Sequence, residues 1–327
     1  MSALSRRSFV NKSMQVVGAA SIVCALPSSM RAAAKKSPFR VAVITDEISP
    51  DFDHACSVAS QEFGLEWVEL RALWGKNILK LDDAEIAKAL AILDKYELRV
   101  TDIASPLFKT DWPGAPLSKF SPKNDSFGAS FGFKEQDEVL QKSIALAHQF
   151  KTDRIRCFDF WRLEDQAPYR EGINAKLLEA ANIAGKHDML LVLENEFECN
   201  TATGRESAKT LSAVQTPHLM LNWDPGNAVA RGEVDAFPAG FALIPKDRIG
   251  HCHCKGAIPK PDGGFSWAPV GQGMPDWTAQ FSALKASGYR GAVSLETHWN
   301  GGGTPEACSR TSWAGMKQAL EKSGTYV

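Results

Sequence analysis

Four short apolar segments in the second half of the chain each end on a side chain that can hold a metal or move a proton. Residues 189–196, MLLVLENE, deliver Glu194, Asn195 and Glu196, and residues 219–224, LMLNWD, deliver Asp224. Residues 248–253, RIGHCH, carry His251 and His253, and residues 292–296, AVSLE, end on Glu296. A continuous apolar run without alternation reads as a strand buried on both faces, as in a parallel sheet. Enzymes built on parallel strands place their chemistry at the carboxyl ends of those strands. A lone carboxylate at a strand end is commonly a helix cap or an ion-pair partner, but four such ends in succession point to one shared site. Glu194, Asp224, His253 and Glu296 together make an oxygen-rich set. It suits Mn²⁺, Mg²⁺ or Co²⁺ better than the thiolate-rich sites of structural zinc do.

The elements that must position these residues alternate along the chain. Strand signals fall at residues 41–45, 67–70, 99–104 and 154–158 before the four already named. Helical spacing falls between them, at residues 53–63, 83–95, 135–150, 169–186, 205–214, 237–243 (weakly), 275–287 and 304–322. Residues 110–133 form a long loop rich in Pro, Gly and Ser, of the kind that covers sites or stays unstructured. About eight strands alternating with about eight helices, without a composition break, predict a single (β/α)₈ TIM barrel over residues 38–322. An open doubly wound sheet is the competing topology, but no Gly-x-Gly-x-x-Gly follows the first strand.

The first 34 residues read as an address. Ser5-Arg6-Arg7-Ser8-Phe9 with Lys12, a short apolar stretch and Ala32-Ala33-Ala34 look like a twin-arginine signal peptide, which predicts a periplasmic or otherwise exported protein. That segment carries four basic residues and no acidic ones, so its removal takes the formal charge from −1 to −5. A mildly acidic chain without basic runs argues against a nucleic-acid partner, and against a membrane surface once the signal is gone. The six cysteines beyond it include no CxxC pair and read as small buried residues.

With these motifs in place, the chain resembles the xylose-isomerase-like TIM-barrel family, which includes sugar epimerases, inosose dehydratases and endonuclease IV. The resemblance covers nearly all of residues 38–322. It rests on Val68-Glu69-Leu70-Arg71, Leu193-Glu194-Asn195, Asp224-Pro225-Gly226-Asn227, His251-Cys252-His253-Cys254-Lys255, Gly271-Gln272-Gly273 with Asp276-Trp277, and Leu295-Glu296-Thr297. It implies metal ligands at Glu194, Asp224, His253 and Glu296, with His253 preferred to His251 because His253-Cys254-Lys255 matches a His-x-Lys pattern. Three departures stand out: Asn227, Glu196 and Gly256 occupy positions where many members carry His, His and Asp. Asn227 cannot supply the further histidine of a three-zinc nuclease, so a DNA-repair activity ranks last.

In epimerases of that family, the carboxylates matching Glu194 and Glu296 bind the metal and move the proton, which implies the same roles here. Lys109, after the third strand, is a candidate second acid or base. Arg71, Asn195, Glu196, Asn227, His251, Lys255 and His298 lie at or beyond strand ends and are candidate substrate ligands. Glu69 and Arg71, two apart on one strand, can also simply pair with each other. Trp67, Trp223, Trp267, Trp277 and Trp299 are expected near the mouth, where their faces would suit sugar rings, although core packing is the commoner role for such side chains. The expected function is a divalent-metal-dependent sugar isomerase or epimerase, with Mn²⁺ favoured and Mg²⁺, Co²⁺ or Zn²⁺ compatible. Its partner is a free or oxidised small-molecule carbohydrate, and the family's habits imply a homo-oligomer. A lyase acting on 3-keto-glycosides is the alternative, and a sugar-binding protein without catalysis a third reading.

Overall fold

Eight parallel strands pair edge to edge, and the order in which they do so closes the sheet on itself. The computed structural model describes residues 36–121 and 130–327, so the signal expected at residues 1–34 and the tip of the long loop lie outside them. The strands are β1 Arg40–Val43, β2 Trp67–Leu70, β3 Arg99–Leu107, β4 Arg154–Cys157, β5 Leu190–Glu194, β6 Leu219–Trp223, β7 Ile249–Cys254 and β8 Ala292–Leu295. The sheet runs β1-β8-β7-β6-β5-β4-β3-β2, and a parallel bridge between Ile44 and Glu69 joins its two edges. This is the (β/α)₈ barrel that the alternation of patterns predicts, and the open sheet is excluded.

The helices begin where their sequences say they should. Asp82 and Glu85 form a reciprocal capping box ahead of Asp83–Lys95, and Thr203 and Glu206 do the same for Gly204–Ala213. Thr304 caps Pro305–Lys322, with Pro305 in the first turn, where its missing N–H costs nothing. That last helix lies so close to the turn at Val270-Gly271 that a Cβ on Gly315 would meet the Val270 carbonyl. Only glycine fits there. The expected helix at residues 237–243 is reduced to a wide turn, Ala236–Gly240, and one short turn, Phe241–Leu243. The six described cysteines are free and buried. Among the described residues no helix is long and apolar enough to cross a membrane.

Two hairpins escaped the sequence reading. One pairs Ala72–Leu73 with Lys76–Asn77, and the other pairs Gly256–Pro259 with Phe265–Ala268 directly after β7. The apolar core fills the space between strands and helices, where Val43, Ile103, Leu193, Leu221, Trp277 and Phe281 are fully buried. The inside of the barrel is different. Barrels of this architecture usually fill their interior with branched apolar side chains, yet here Glu69, Asp102, Arg156, Glu194, Asn222, His251 and His253 are all buried.

Candidate metal centre

Strand register decides which groups meet. Successive side chains on a strand point to opposite faces, so His251 and His253 share a face and the intervening cysteines take the other. Their rings stand 5.4 Å apart, edge to face. A shift in the β6–β7 pairing skips Gly250 and sets Asn222 opposite His251, while Glu194 pairs with Asn222 from β5. Gly250 permits this because a Cβ there would lie 2.9 Å from Met220 Cβ.

The ends of β5, β6, β7 and β8 then converge. Glu194, Asp224, His253 and Glu296 are all buried and each offers a ligand atom within 4.8 Å of the others. His253 Nδ1 lies 3.3 Å from Glu194 Oε1, 3.2 Å from Glu296 Oε2 and 3.7 Å from Asp224 Oδ2. Asp224 also caps the short helix Pro225–Ala230, its Oδ1 accepting the Asn227 N–H at 2.8 Å. That bond fixes the carboxylate so that Oδ2 faces the cluster. Asp224 Oδ2 is ion-paired to Lys255 Nζ at 2.8 Å yet receives no well-directed hydrogen bond. Three carboxylate oxygens and one imidazole nitrogen converging on one point fit a hard divalent cation.

Each carboxylate is held from behind by a cation. Arg156, on β4, donates to Glu194 Oε2 at 3.2 Å and to the Ala104 carbonyl at 3.1 Å. Asn227 Nδ2 donates to Glu194 Oε1 at 3.0 Å. Arg71 donates to Glu296 Oε1 at 3.2 Å and to Asp46 and Glu47, while Lys255 donates to Glu296 Oε2. A Cβ at position 226 would fall 2.6 Å from Lys255 Cγ, so Gly226 makes room for the lysine stem.

The titrations follow from this packing. Burial pushes the Glu194 carboxyl up, but His253 and Arg156 overcome it and hold the group well below the usual carboxylate range. Asp224 has only Lys255 and His253 to oppose burial and the neighbouring Glu296 and Glu194, and it is pushed up to about 7. Burial works against the charged form of His253, but Glu69, Glu296 and Glu194 together keep its imidazole protonated well above the ordinary range.

The remaining expected residues sort by depth. Lys109 Nζ lies 3.1 Å from Glu196 Oε2 and 4.6 Å above the Phe158 ring, at the mouth. Glu196 Oε1 and Asn227 Oδ1 are buried without a hydrogen-bond partner. His298 is half-buried, with Nδ1 3.0 Å from Glu47 Oε1. Two expectations are corrected. Asn195 cannot greet a substrate, because its amide clasps both the N–H and the carbonyl of Asp224 and the Ala202 carbonyl. His251 lies deeper than the cluster, fully buried, between Asn222 (3.1 Å) and Asp102 (3.3 Å).

The tryptophans divide too. Trp223 and Trp277 are core residues, and Trp67 opens β2 at the opposite end, stacked on the Arg40 and Arg99 guanidinium groups. Trp267 alone caps the cluster: its ring lies 5.1 Å from Lys255 Nζ and meets His298 edge-on, and it packs with Phe197 and Phe265. Beside this cap, a cavity of about 540 Å³ is lined by Asp46, Glu47, Arg71, His298, Trp299 and Thr304, among others. The sequence reading passed over Arg156 altogether. Two arginines inside the four-residue strand Arg-Ile-Arg-Cys were the signal, since a charge in a buried strand must have a partner.

A parallel barrel whose carboxyl-end mouth buries such a donor set defines a class of (β/α)₈ proteins built around a mouth-centred polar site. Within that class, the sequence profile of the xylose isomerase-like TIM barrel family matches residues 58–319, and the chain belongs to that family. No curated protein matches the chain. Solved structures do. D-psicose 3-epimerase with D-tagatose, from Clostridium cellulolyticum H10, aligns at TM-score 0.63 with 13% identity over 87% of this chain and 99% of that one. The probable 3-DHS dehydratase AsbF, involved in petrobactin synthesis in Bacillus anthracis, aligns at TM-score 0.62 with 18% identity over 85% and 98%. The IolI protein with a binding zinc atom aligns at TM-score 0.65 with 14% identity over 88% and 99%. At such identities the likeness is one of fold.

Proposed function

We propose that the protein is a divalent-metal-dependent enzyme that moves a proton next to the carbonyl of a free or oxidised sugar, as an isomerase or epimerase. One observation carries the reading: Glu194 and Glu296, from strands three apart, flank His253 Nδ1 at 3.3 and 3.2 Å inside one buried set. Glu194, Asp224, His253 and Glu296 would hold the ion, which when bound supplies Lewis acidity toward a carbonyl and its neighbouring hydroxyl. The structural relatives include an epimerase with a ketohexose and a zinc-binding protein, which supports the reading without deciding the reaction.

The proton transfer itself belongs to the chain. One carboxylate takes the proton from the carbon beside the carbonyl, and the electron pair moves into an enediolate. The other carboxyl group, once it has taken up a proton from solvent, delivers that proton to the opposite face of that carbon, which gives an epimer. Return to the adjacent carbon gives an isomer. Arg156 and Asn227 orient Glu194, and Arg71 orients Glu296. Lys109 acts as a charged donor to a substrate oxygen rather than as a base. Burial opposes its charge, but Glu196 more than restores it and raises its pKa. Glu196, Asn227, Lys255 and His298 complete the grip on hydroxyl groups, beneath the Trp267 cap.

The test is incubation of metal-loaded protein in D₂O with free ketoses and 3-keto-glucosides, followed by NMR. Deuterium in an intact, epimerised or isomerised sugar, lost with EDTA, is the expected result. No exchange with any substrate despite bound metal would leave a sugar-binding protein.

The cavity lined by Arg71, Thr297 and His298 favours one second reading. Its volume of about 540 Å³ lies in the range of sites that enclose drug-sized ligands, larger than one sugar ring needs. A 3-keto-glycoside would fill it with its aglycone. Loss of the C2 proton to a carboxylate would form the C1–C2 double bond, and the C1–O bond would break. The aglycone would then leave with a proton, and its release in the same NMR experiment identifies this lyase chemistry. The twin-arginine address completes the proposal, since an exported enzyme meets free sugars and glycosides rather than cytoplasmic sugar phosphates. The intact mass of the processed protein tests it.

Metal affinity should depend on pH. An ion can bind only as Asp224 and His253 give up their protons, and both are held in their protonated forms above the usual range. Affinity is expected to rise with pH through about 7, by roughly tenfold per unit for each proton released. Mn²⁺ titrations at successive pH values from acid to neutral check this; a flat profile would show that these protons are not displaced.

A further inference from the structure

Beneath the ligand set lies a carboxylate that no part of the proposed mechanism uses. Glu69 is fully buried on β2, at the bridge with Ile44 that closes the barrel. Its Oε1 lies 2.9 Å from His253 Nε2, the ring nitrogen that faces away from Glu194, Asp224 and Glu296. We infer that Glu69 is a positioning residue that fixes His253 with Nε2–H toward the barrel interior and the Nδ1 lone pair toward the metal site. The inference rests on the metal reading of the four mouth residues.

The geometry leaves His253 one productive arrangement. A neutral imidazole carries a single N–H, and a ligand nitrogen must be bare. If the proton sits on Nδ1, His253 cannot ligate. Two groups compete for Nε2: the Glu69 carboxylate, which accepts a proton from it, and Asn222 Nδ2 at 3.1 Å, which can only donate one. A carboxylate facing a ring N–H makes a charge-assisted hydrogen bond, roughly twice as strong as a neutral one, and Asn222 presents no acceptor to Nε2, so the proton stays on Nε2. Asn222 is meanwhile tied to His251, whose Nδ1 lies 3.1 Å from the Asn222 carbonyl oxygen. Carboxylates placed behind a ligand histidine in this way make it more basic, and their loss typically weakens metal affinity by about 10–100-fold.

Asp102 supplies the matched control. It is as deeply buried as Glu69 and also faces a histidine, with Oδ1 3.3 Å from His251 Nε2, but His251 is not one of the four mouth residues. The experiment compares wild type, Glu69→Gln and Asp102→Asn. Each is stripped of metal, checked for fold by near-ultraviolet circular dichroism, and titrated with Mn²⁺ against a chelating indicator. Glu69→Gln is expected to bind Mn²⁺ about 10–100-fold more weakly, while Asp102→Asn binds as wild type does. Co²⁺-loaded Glu69→Gln should also show a shifted visible absorption spectrum, because the ligand nitrogen has changed its character.

Wild-type affinity in Glu69→Gln would overturn the inference, and so would equal weakening in both variants, which would mark a merely structural effect. Failure of the wild type to bind any divalent ion would instead bring down the metal reading itself. If Glu69→Gln does not fold, Glu69→Asp serves in its place. It keeps the charge but withdraws it from Nε2 by one methylene, and the same weakening is expected.

Discussion

Glu296→Gln is expected to lower turnover by about 10²–10⁴-fold, the range that positioned acid–base groups contribute. The amide nearly matches the carboxylate in shape, so the barrel mouth should keep its outline. What changes is charge. Glu296 receives hydrogen bonds from both Arg71 and Lys255 and lies 3.2 Å from His253 Nδ1, so its ionised form is well supported despite complete burial. Lys255, His298 and His253 overcome that burial and hold the carboxyl well below the ordinary range. Glutamine can neither take a substrate proton nor give one back. Deuterium exchange from D₂O, measured at saturating Mn²⁺ with bound metal quantified, separates lost chemistry from lost metal. Exchange at near the wild-type rate would remove Glu296 from the mechanism, and Glu194→Gln puts the other carboxylate to the same test.

Arg156→Met should cost about 3–5 kcal/mol of stability, as expected when one partner of a buried ion pair is removed. Arg156 and Glu194 are almost inaccessible, with side chains 7% and 1% exposed, so solvent cannot screen the charge left behind. Methionine follows the apolar stem of arginine over the Phe158 ring, 5.0 Å from the guanidinium carbon. It leaves Glu194 Oε2 and the Ala104 carbonyl without their donor. Urea unfolding in EDTA measures the loss. Added Mn²⁺ should restore part of it, because an ion bound to Glu194 replaces the missing positive charge and ligand binding stabilises by mass action. An unchanged unfolding midpoint in EDTA would mean that Glu194 is already satisfied by Asn227 and His253 alone.

Both variants act on groups of unequal visibility in the sequence. Glu296 could be seen because Ala-Val-Ser-Leu-Glu ends a buried strand on a charge, and three other strands do the same. Arg156 sits inside its strand, where a charge could face either way. Trp67 was expected at the mouth, yet it opens β2 at the far end of the barrel, because a strand's first residue and its last lie at opposite faces. Asn195 follows Glu194 in a family motif and so was expected to meet substrate; only its three bonds show that it ties β5 to the end of β6.

The barrel, and four strand ends that point to a donor set, were legible in the sequence. These depend on local pattern: apolar runs of strand length, helix caps, and charges where the runs stop. The tertiary structure alone decided what lies behind that set. In His-Cys-His-Cys-Lys the alternation separates two faces but does not say which one is inside. The register skip at Gly250 settles it, turning His251, His253 and Lys255 inward. Pairing register and barrel closure are long-range properties, set by strands far apart in the chain. For that reason the partnerships of Glu69 with His253, 184 residues apart, and of Arg71 with Glu296, 225 apart, could not be read from the sequence.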